Sequence, residues 1–411
     1  MDLQSRLSRL QSQVGAEDRN AEPKSQLSEL RARIAELEKR GRARKQRRPT
    51  ATRAVVAGAE PEAGSEPGDF GGEQIAPGVT RICTRYPLTG TLGSIELHSL
   101  REQPQLPGEP DVAHLRRVYL DTETTGLSGG SGTLAFLIGI AVVTETAIEL
   151  TQFLITRFAG EAAMLSALAE SLGPNDQLVS YNGKSYDLPL LVTRFRMQAL
   201  QHPFAGLAHL DLLHPARRLF SKRWPDCRLI TLEQNLLGFH RVDDLPGSEA
   251  PAAWFSYIRN GDDRQLNRVI EHNAQDILSL AVAHQVLAQA VAQPDAFGVD
   301  LYALGRWLVE QDETGARELL QSYRDLLCDD ATRLLARLYK RSGNWSPAVA
   351  LWEGLAAAGC VESVECLAKY HEHISKDFAA ARRCCERLSN DAAHEHRRRR
   401  IDRKIAAPGN T

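Results

Sequence analysis

Two carboxylates stand two residues apart at the end of an apolar run. The run Val118–Leu120 has the composition of a strand, and Asp121 and Glu123 follow it directly. Because side chains alternate across a strand, both acids would project from the same face. Two adjacent carboxylates repel each other when buried, and a divalent cation removes that cost. The pair therefore indicates either a metal site or a strand end whose acids are solvated in a polar turn.

Two later segments carry further acids in positions suited to a site. In Ser180–Leu191, a strand ends, an Asn-Gly turn follows, and Asp187 opens a helix. This position suits a carboxylate at a helix N-terminus, and it also lies at the carboxyl end of a strand, where α/β sheets bind ligands. His272 and Asp276 are four residues apart and would share one face of a long helix. Taken singly, each is also typical of an ordinary surface residue.

The elements that would position these residues alternate between strand and helix patterns. Three apolar runs separated by short connections predict an antiparallel meander, and helices and short strands follow. The order predicts an α/β mixed sheet with flanking helices, which we place at residues 79–297. The predicted strands are Ile82–Arg85, Ile95–Leu97, Val118–Leu120, Leu134–Val143, Ala147–Thr156, Gln177–Tyr181 and His209–Leu213, and the predicted helices are Gly160–Leu172, Tyr186–Ala199, Arg228–Leu237 and Asp263–Ala292.

Residues 298–411 have a helical composition with an internal repeat. Gly343–Ala348 aligns with Lys376–Ala381, thirty-three residues further on. A period of this length with small residues at the crossing points is typical of tetratricopeptide repeats, which commonly offer a groove to a protein partner. The alternative is a plain helical bundle that covers the preceding domain. The basic tail His394–Lys404 would either extend a nucleic-acid track or form a solvated helix end.

The first 78 residues differ in composition from the rest of the chain. Ser25–Lys39 has apolar residues at helical spacing and leads into the basic run Arg40–Arg48. Ala51–Gly78 is rich in Ala, Gly, Glu and Pro, as linkers are. We predict a disordered or partly helical N-terminal arm, whose basic run would either grip phosphates or remain solvated.

Bulk composition limits the classes of protein that remain. The 411-residue chain has a formal net charge of −2 and is 43% hydrophobic, so it can bury a sizeable core. Its seven cysteines show no paired spacing that would indicate a zinc site. The longest apolar run, Leu134–Val143, is too short to span a bilayer. We expect a cytoplasmic protein with no membrane association.

Together, the acidic segments resemble the DEDD superfamily of 3′–5′ exonucleases, which have a ribonuclease-H-like fold. Asp121–Gly126 matches the D-x-E-T-T-G motif, Asn182–Asp187 matches N-x-x-x-[FY]-D, and His272 precedes Asp276 by four residues. In this superfamily, the last Asp is preceded either by a Tyr four residues earlier or by a His five residues earlier. Here His stands at the four-residue spacing, and Glu271 takes the other position.

More narrowly, the chain resembles bacterial YprB-like proteins, in which this nuclease domain precedes tetratricopeptide-like repeats. The segments that carry this likeness are Thr125–Gly139, Arg241–Pro251 and His272-Asn273. The resemblance covers the chain from about residue 79 to the C-terminus.

The resemblance implies a metal-dependent nuclease, most simply a 3′–5′ exonuclease acting on DNA or RNA with two Mg²⁺ or Mn²⁺ ions. Asp121 would bridge the ions, Glu123 and Asp276 would complete one site, and Asp187 would hold the second. His272 would orient or deprotonate the attacking water. The alternative is a catalytically weak or inactive nuclease-like scaffold that binds nucleic acid or protein partners through its helical repeats. Residues expected to contact the substrate are Thr124, Thr125, Gly126, Asn182 and Lys184.

Overall fold

The computed structural model describes residues 70–102, 105–110, 115–126, 132–389 and 392–406. These residues belong to one compact unit. The predicted N-terminal helix, the basic run, most of the linker and the glycine-rich segment 127–131 lie outside the described residues. In the described ranges, no helix combines the length and the apolar character needed to cross a membrane.

A mixed seven-stranded sheet forms the centre of the molecule, as predicted. The strand order is β1-β2-β7-β6-β5-β8-β9. The pairs β5–β8 and β8–β9 are parallel and the other pairs are antiparallel. The strands are β1 Glu73–Ala76, β2 Val79–Pro87, β3 Thr91–Leu92, β4 Ile95–Glu96, β5 Arg116–Thr124, β6 Ala135–Val143, β7 Ala147–Ile155, β8 Asp176–Ser180 and β9 Ala208–Asp211, of which β3 and β4 pair only with each other.

The meander β5–β6–β7 agrees with the sequence prediction, whereas the edge beside it is more extensive than predicted. Strand β2 pairs with β7 along its whole length, from Val79 to Pro87. Its polar residues alternate outward to solvent, so only its apolar centre was predicted as a strand. Strand β1 pairs with β2, so the sheet begins before residue 79, the predicted start of the domain.

Among the described residues, seven α-helices accompany the sheet. Three of them, α3, α5 and α7, were not predicted. The predicted helix Arg228–Leu237 is a short α-helix continued by a π-helical turn, Glu233–Leu237. The helices are α1 Glu161–Ser171, α2 Asp187–Met197, α3 Leu213–Phe220, α4 Leu229–Leu232, α5 Ala250–Asn260, α6 Arg264–Ala292 and α7 Pro294–Phe297.

Helix α6 contributes to two hydrophobic cores. Its first turns, with Leu266, Val269 and Ile270, join the core that contains Trp254 of α5. Its remaining turns, from Ala274 onward, join a second core with α3 and the π-helical turn. Because Asn273 lies at the change from one core to the other and is fully buried, this part of α6 is held firmly against the sheet.

The C-terminal region is entirely helical within residues 301–389 and 392–406, apart from its turns. Each helix packs against the next one along the chain. Leu304 and Trp307 of the first of them belong to the second core of the sheet region, so the two regions share packed side chains. The helices are α8 Leu301–Val309, α9 Glu313–Ser322, α10 Asp329–Arg341, α11 Trp345–Ala357, α12 Val361–His373, α13 Phe378–Glu386 and α14 Ala392–Ile405.

The backbone supports the internal repeat read from the sequence. Gly343 and Lys376 are aligned by the 33-residue offset, and both adopt left-handed φ angles, 77° and 57°. Each lies in the turn before a helix, α11 and α13 respectively. The aligned Ala348 and Ala381 are both fully buried. Equivalent sequence positions therefore have equivalent backbone and packing roles.

Candidate active site

The first two acids lie at the carboxyl end of β5, a strand in the interior of the sheet. Asp121 is paired across the sheet with Gly139 of β6. A Cβ atom at position 139 would collide with the side chains of Ile277 and Asn273 in α6. Glycine therefore allows α6 to lie directly on the sheet at this point. As a result, the Asn273 amide donates a hydrogen bond of 2.8 Å to Asp121 Oδ2.

A tight turn after β8 positions the third acid, Asp187. Asn182 in this turn has a left-handed φ of 67°. The Asp211 carboxylate stabilises the turn by accepting hydrogen bonds from the backbone N–H groups of Asn182, at 2.7 Å, and Lys184, at 3.1 Å. Helix α2 then begins at Asp187, whose carboxylate accepts a hydrogen bond from the Thr122 hydroxyl of β5. The turn thus brings Asp187 to the end of the strand that carries the first two acids.

The fourth acid, Asp276, and His272 lie one turn apart on α6. His272 Nε2 is 3.8 Å from Glu123 Oε1 and 3.6 Å from Asp276 Oδ2. The His272 side chain is 13% exposed and that of Asp276 is 18% exposed. The structure therefore brings the five predicted catalytic residues together in a largely buried cluster, supplied by β5, α2 and α6.

Burial and mutual repulsion raise the proton affinities of these acids. Burial holds the pKa of Asp121 well above its ordinary value, and the charges of Asp276, Asp187 and Glu123 act in the same direction. Burial raises the pKa of Glu123 to about 8, although His272 opposes the shift. Burial likewise raises the pKa of Asp187 to about 6, against the hydrogen bond from Thr122. The cluster is therefore electrostatically strained when all its carboxylates are ionised.

A buried arginine partly compensates this charge. Arg241 precedes α5 in the chain and its side chain is 6% exposed. Its guanidinium forms ion pairs with Asp276 and with Asp244. It also binds the fully buried Glu233 of the π-helical turn at 2.6 Å. These carboxylates raise the pKa of Arg241 against the effect of burial, so the guanidinium is permanently charged.

Asp244 fixes the orientation of His272. Its Oδ1 atom lies 2.6 Å from His272 Nδ1. When Asp244 accepts a hydrogen bond from Nδ1–H, the other ring nitrogen, Nε2, carries the free lone pair of a neutral imidazole. Burial lowers the pKa of His272, but this hydrogen bond and the nearby carboxylates outweigh it and raise the pKa overall. The pair thus presents a basic nitrogen towards Glu123 and Asp276.

The donor set suits a hard divalent cation. Four carboxylates with few solvent contacts provide the oxygen ligands that Mg²⁺ and Mn²⁺ prefer, and a cation would relieve their repulsion. Across the described residues, however, no three His, Cys, Asp or Glu side chains are already arranged as ligands around one point. Asp121, Asp187 and Asp276 are instead held by Asn273, Thr122 and Arg241, respectively.

The residues expected to contact substrate surround the acids, but several are engaged within the protein. The Thr124 hydroxyl donates to the carbonyl oxygen of Gly126, and the Thr125 hydroxyl accepts from the backbone of Leu134. These bonds shape the base of the loop after β5. Lys184 is exposed beside Asp187.

Several residues of the site were not predicted. Asp244, Arg241 and Glu233 lie in segments without periodic structure or in the π-helical turn, and Asn273 has no motif of its own. The charged residues of Arg241–Asp244 could have indicated a role in the site. The sequence analysis used this segment only as part of Arg241–Pro251, which resembles YprB-like proteins. Asp211, at the end of β9, was also not predicted as a site residue. It accepts a hydrogen bond from the N–H of Leu213, in addition to holding the turn that precedes Asp187.

Comparison with known proteins gives three findings. Residues 118–287 match a family model of the RNase_H superfamily. The "Uncharacterized protein YprB" of Bacillus subtilis (strain 168) is 32% identical over 337 residues, which are 75% of this chain and 79% of that protein. A solved structure of E. coli Exonuclease I in complex with a dT13 oligonucleotide has 15% identity and a TM-score of 0.30. That match covers 45% of this chain and 43% of Exonuclease I, and it is too weak to support a functional inference.

Proposed function

Because this chain belongs to the YprB family and carries an RNase_H superfamily domain, we propose that it is a metal-dependent nuclease. We propose specifically a DEDD-type 3′–5′ exonuclease that hydrolyses phosphodiester bonds in DNA or RNA. The observation that carries this proposal is that Asp187, His272 and Asp276 lie next to the acids at the end of β5. The raised pKa values of Asp121, Glu123 and Asp187 support it. Burying several like charges is costly, and such costs are concentrated at functional sites.

The proposed cofactor is a pair of Mg²⁺ or Mn²⁺ ions. Asp121, Glu123, Asp187 and Asp276 are the proposed ligands. When bound, the ions would supply an activated water and stabilise the charge on the leaving 3′-oxygen.

The proposed base is His272, with Asp244 as its positioning residue. The Asp244 carboxylate fixes the tautomer, so that Nε2 can accept a proton from the attacking water. A histidine at this spacing still reaches the acids, since Nε2 lies within 4 Å of Glu123 and Asp276. The geometry therefore favours retention of the histidine's role despite the departure from the family spacing.

The terminal nucleotide would be held next to the turn that precedes α2. Tyr186, immediately before the partly buried Asp187, is a large aromatic side chain that is 58% exposed. Its ring offers a face on which a base can stack. The exposed Lys184 in the same turn is proposed to contact a phosphate, and Thr124, Thr125, Gly126 and Asn182 complete the proposed substrate contacts.

The test is hydrolysis of labelled single strands by the purified full-length protein. With Mn²⁺ or Mg²⁺, a 5′-labelled strand should shorten progressively from its 3′ end, and Asp121→Asn should abolish the shortening. Glu149→Gln, an exposed acid of β7, is the matched control and should retain full activity. Parallel DNA and RNA strands of one sequence establish the sugar preference. Degradation that survives Asp121→Asn, or that starts from the 5′ end, contradicts the proposal.

A second candidate is a nuclease-like scaffold that no longer cuts. The ion pair between Arg241 and Asp276 favours it, because a guanidinium there competes with a cation for the same carboxylate. Calorimetric titration with Mn²⁺ separates the two candidates. A scaffold should show neither metal binding nor degradation of any strand, whereas an enzyme should show both.

We further propose that residues 298–411 form a tetratricopeptide-like array that is capable of binding a protein partner. The equivalent left-handed turns at Gly343 and Lys376 and the sequential packing of the helices support this proposal. Co-purification with tagged full-length protein, compared with a chain truncated after residue 309 so that Leu304 and Trp307 remain in the core of the sheet region, tests it. Partners that remain bound to the truncated chain contradict it.

A further inference from the structure

The helical C-terminal region contains a cavity of about 320 Å³ that the nuclease proposal does not use. This volume falls within the range of pockets that hold small ligands, roughly 300–1,000 Å³. The cavity lies among helices α10, α11, α12 and α14. Its lining combines aromatic side chains with cationic ones, which is a different chemistry from that of the acidic cluster.

Two partly exposed aromatic rings form one wall of this helical cavity. The rings of Trp345 and Tyr370 have centroids 5.6 Å apart and an interplanar angle of 35°. Trp352 also lines the cavity; it is 2% exposed and belongs to the core of the region. The cavity therefore has three aromatic side chains in its lining, and one of them is anchored in the core.

Three cationic side chains also belong to the lining of the cavity. Lys340, Lys369 and Arg397 all line the cavity, and no Asp or Glu does so. Two carboxylates contact the lining: Glu365, which lies 2.7 Å from Lys369 Nζ and 3.5 Å from Arg397 Nη2, and Glu372, which lies 3.3 Å from His373 Nε2. Glu372 is also paired with Arg400 and Lys404 outside the cavity. Glu365 alone therefore faces the three cations, and the cavity keeps a positive charge.

Arg397 provides the most direct sign of a missing ligand group. Its Nε and Nη1 atoms are buried and have no hydrogen-bond partner among the described residues. A guanidinium presents five N–H donors, and buried donors without acceptors are costly. An anion bound in the cavity next to Arg397 would offset the cost of this largely buried charge, since Arg397 forms part of the lining and its side chain is 15% exposed.

We propose that the helical cavity binds one nucleotide unit of a single-stranded nucleic acid. A base stacks on Trp345 and Tyr370, and the adjacent phosphates are held by Lys340, Lys369 and Arg397. Stacking on aromatic rings combined with cations along the backbone is how proteins bind single strands without sequence preference. An acidic peptide would use the cations but would leave the ring faces without a partner. The inference rests on the proposed nuclease function only in this choice of nucleic acid over peptide.

The test measures strand binding without cleavage, in full-length protein carrying Asp121→Asn, with a chelator present. The probes are fluorescein-labelled dT20 and rU20, and the readout is fluorescence anisotropy. Loss of a stacked base in Trp345→Ala should weaken binding by about 5- to 100-fold. Trp345→Phe keeps a ring and should retain most of the affinity.

The exposed lysines give a second measurement that does not depend on the core. The double variant Lys340→Gln with Lys369→Gln removes two phosphate contacts. It should therefore reduce the slope of log K against log salt by about 1.4, at 0.7 per contact on a single strand. Arg383→Gln, an exposed cation of α13 outside the cavity, should leave the slope unchanged. The proposal is overturned if the double lysine variant and the parent protein give equal slopes of log K against log salt. It is also overturned if a labelled polyglutamate peptide binds more tightly than either strand.

Failure of this proposal is distinguishable from failure of the nuclease proposal. If the unmodified protein cleaves no strand but the lysine and tryptophan variants lose binding as expected, the cavity assignment stands and the nuclease proposal fails. If strands are cleaved but the variants bind like the parent protein, the reverse holds. Should Trp345→Ala fail to fold, the salt dependence of the double lysine variant decides.

Discussion

Glu123→Gln should stabilise the metal-free protein at neutral and alkaline pH. Glu123 is 9% exposed, and burial raises its pKa from 4.5 to about 8. The folded protein thus holds the proton more tightly than the unfolded chain does. This contribution to stability is complete below pH 4.5 and is lost as the pH rises through about 8. Glutamine removes the charge and should abolish the loss.

The magnitude follows from the size of the shift. At 1.36 kcal/mol per pKa unit, a rise from 4.5 to about 8 corresponds to about 5 kcal/mol of lost stability, fully expressed above pH 8. Asp121 and Asp187 ionise more readily once position 123 is neutral. Their buried charges then cost stability, which cancels part of the stabilisation expected from removing the charge of Glu123. For the single variant at pH 9, we therefore expect a net stabilisation of about 2–3 kcal/mol.

The assay is urea denaturation followed by circular dichroism, with EDTA, at pH 5, 7 and 9. The free energy of unfolding of the parent protein should fall between pH 5 and pH 9 by more than that of Glu123→Gln. Glu149→Gln, an exposed glutamate of the same sheet, should follow the parent protein. Addition of Mn²⁺ at pH 8 should stabilise the parent protein and have a smaller effect on Glu123→Gln. Parallel curves for the parent and Glu123→Gln would refute the reasoning, because they would mean that burial among the other acids does not raise the pKa of Glu123.

Three further changes probe the surroundings of the site. Asp244→Asn should lower the turnover number by up to about 100-fold and should shift the acidic limb of the pH–rate profile to lower pH. The reason is that the pKa of His272 falls when its carboxylate partner is removed. Arg241→Gln should cost about 3–5 kcal/mol in urea denaturation because it leaves Glu233 buried and unpaired, and adding Glu233→Gln should recover part of this loss. Gly139→Ala should destabilise the fold by about 1–3 kcal/mol and reduce strand cleavage, since the added methyl group pushes α6 away from the sheet; unchanged stability in denaturation would contradict this.

The predictions that agree with the structure rest on local patterns. Three consecutive apolar runs with short connections have few ways to pair, so the meander β5–β6–β7 was predictable. The face shared by His272 and Asp276 follows from helical spacing alone. Likewise, the two carboxylates at the end of β5 follow from strand alternation. Each of these inferences needs no knowledge of which distant segments meet.

The parts that were missed depend on contacts that form only when the chain folds. Arg241 lies between regular elements, and its partners Glu233, Asp244 and Asp276 meet only after the chain has folded. Strand β2 is longer than the predicted strand Ile82–Arg85. Alternate polar residues of β2 are exposed, and in the sequence such residues resemble a loop. Chain pattern therefore identified the acids, whereas tertiary structure was needed to identify the groups that hold them.

If the acidic cluster binds metal as proposed, the ion pair of Arg241 with Asp276 would make binding a competition. An incoming cation would have to take the Asp276 carboxylate from a guanidinium that is held next to it. The free energy of metal binding would then be the difference between two ionic interactions, rather than the strength of one. Arg241 would thus set the metal affinity without being a ligand, and its replacement by a neutral side chain should let the same acids take up metal at lower concentration.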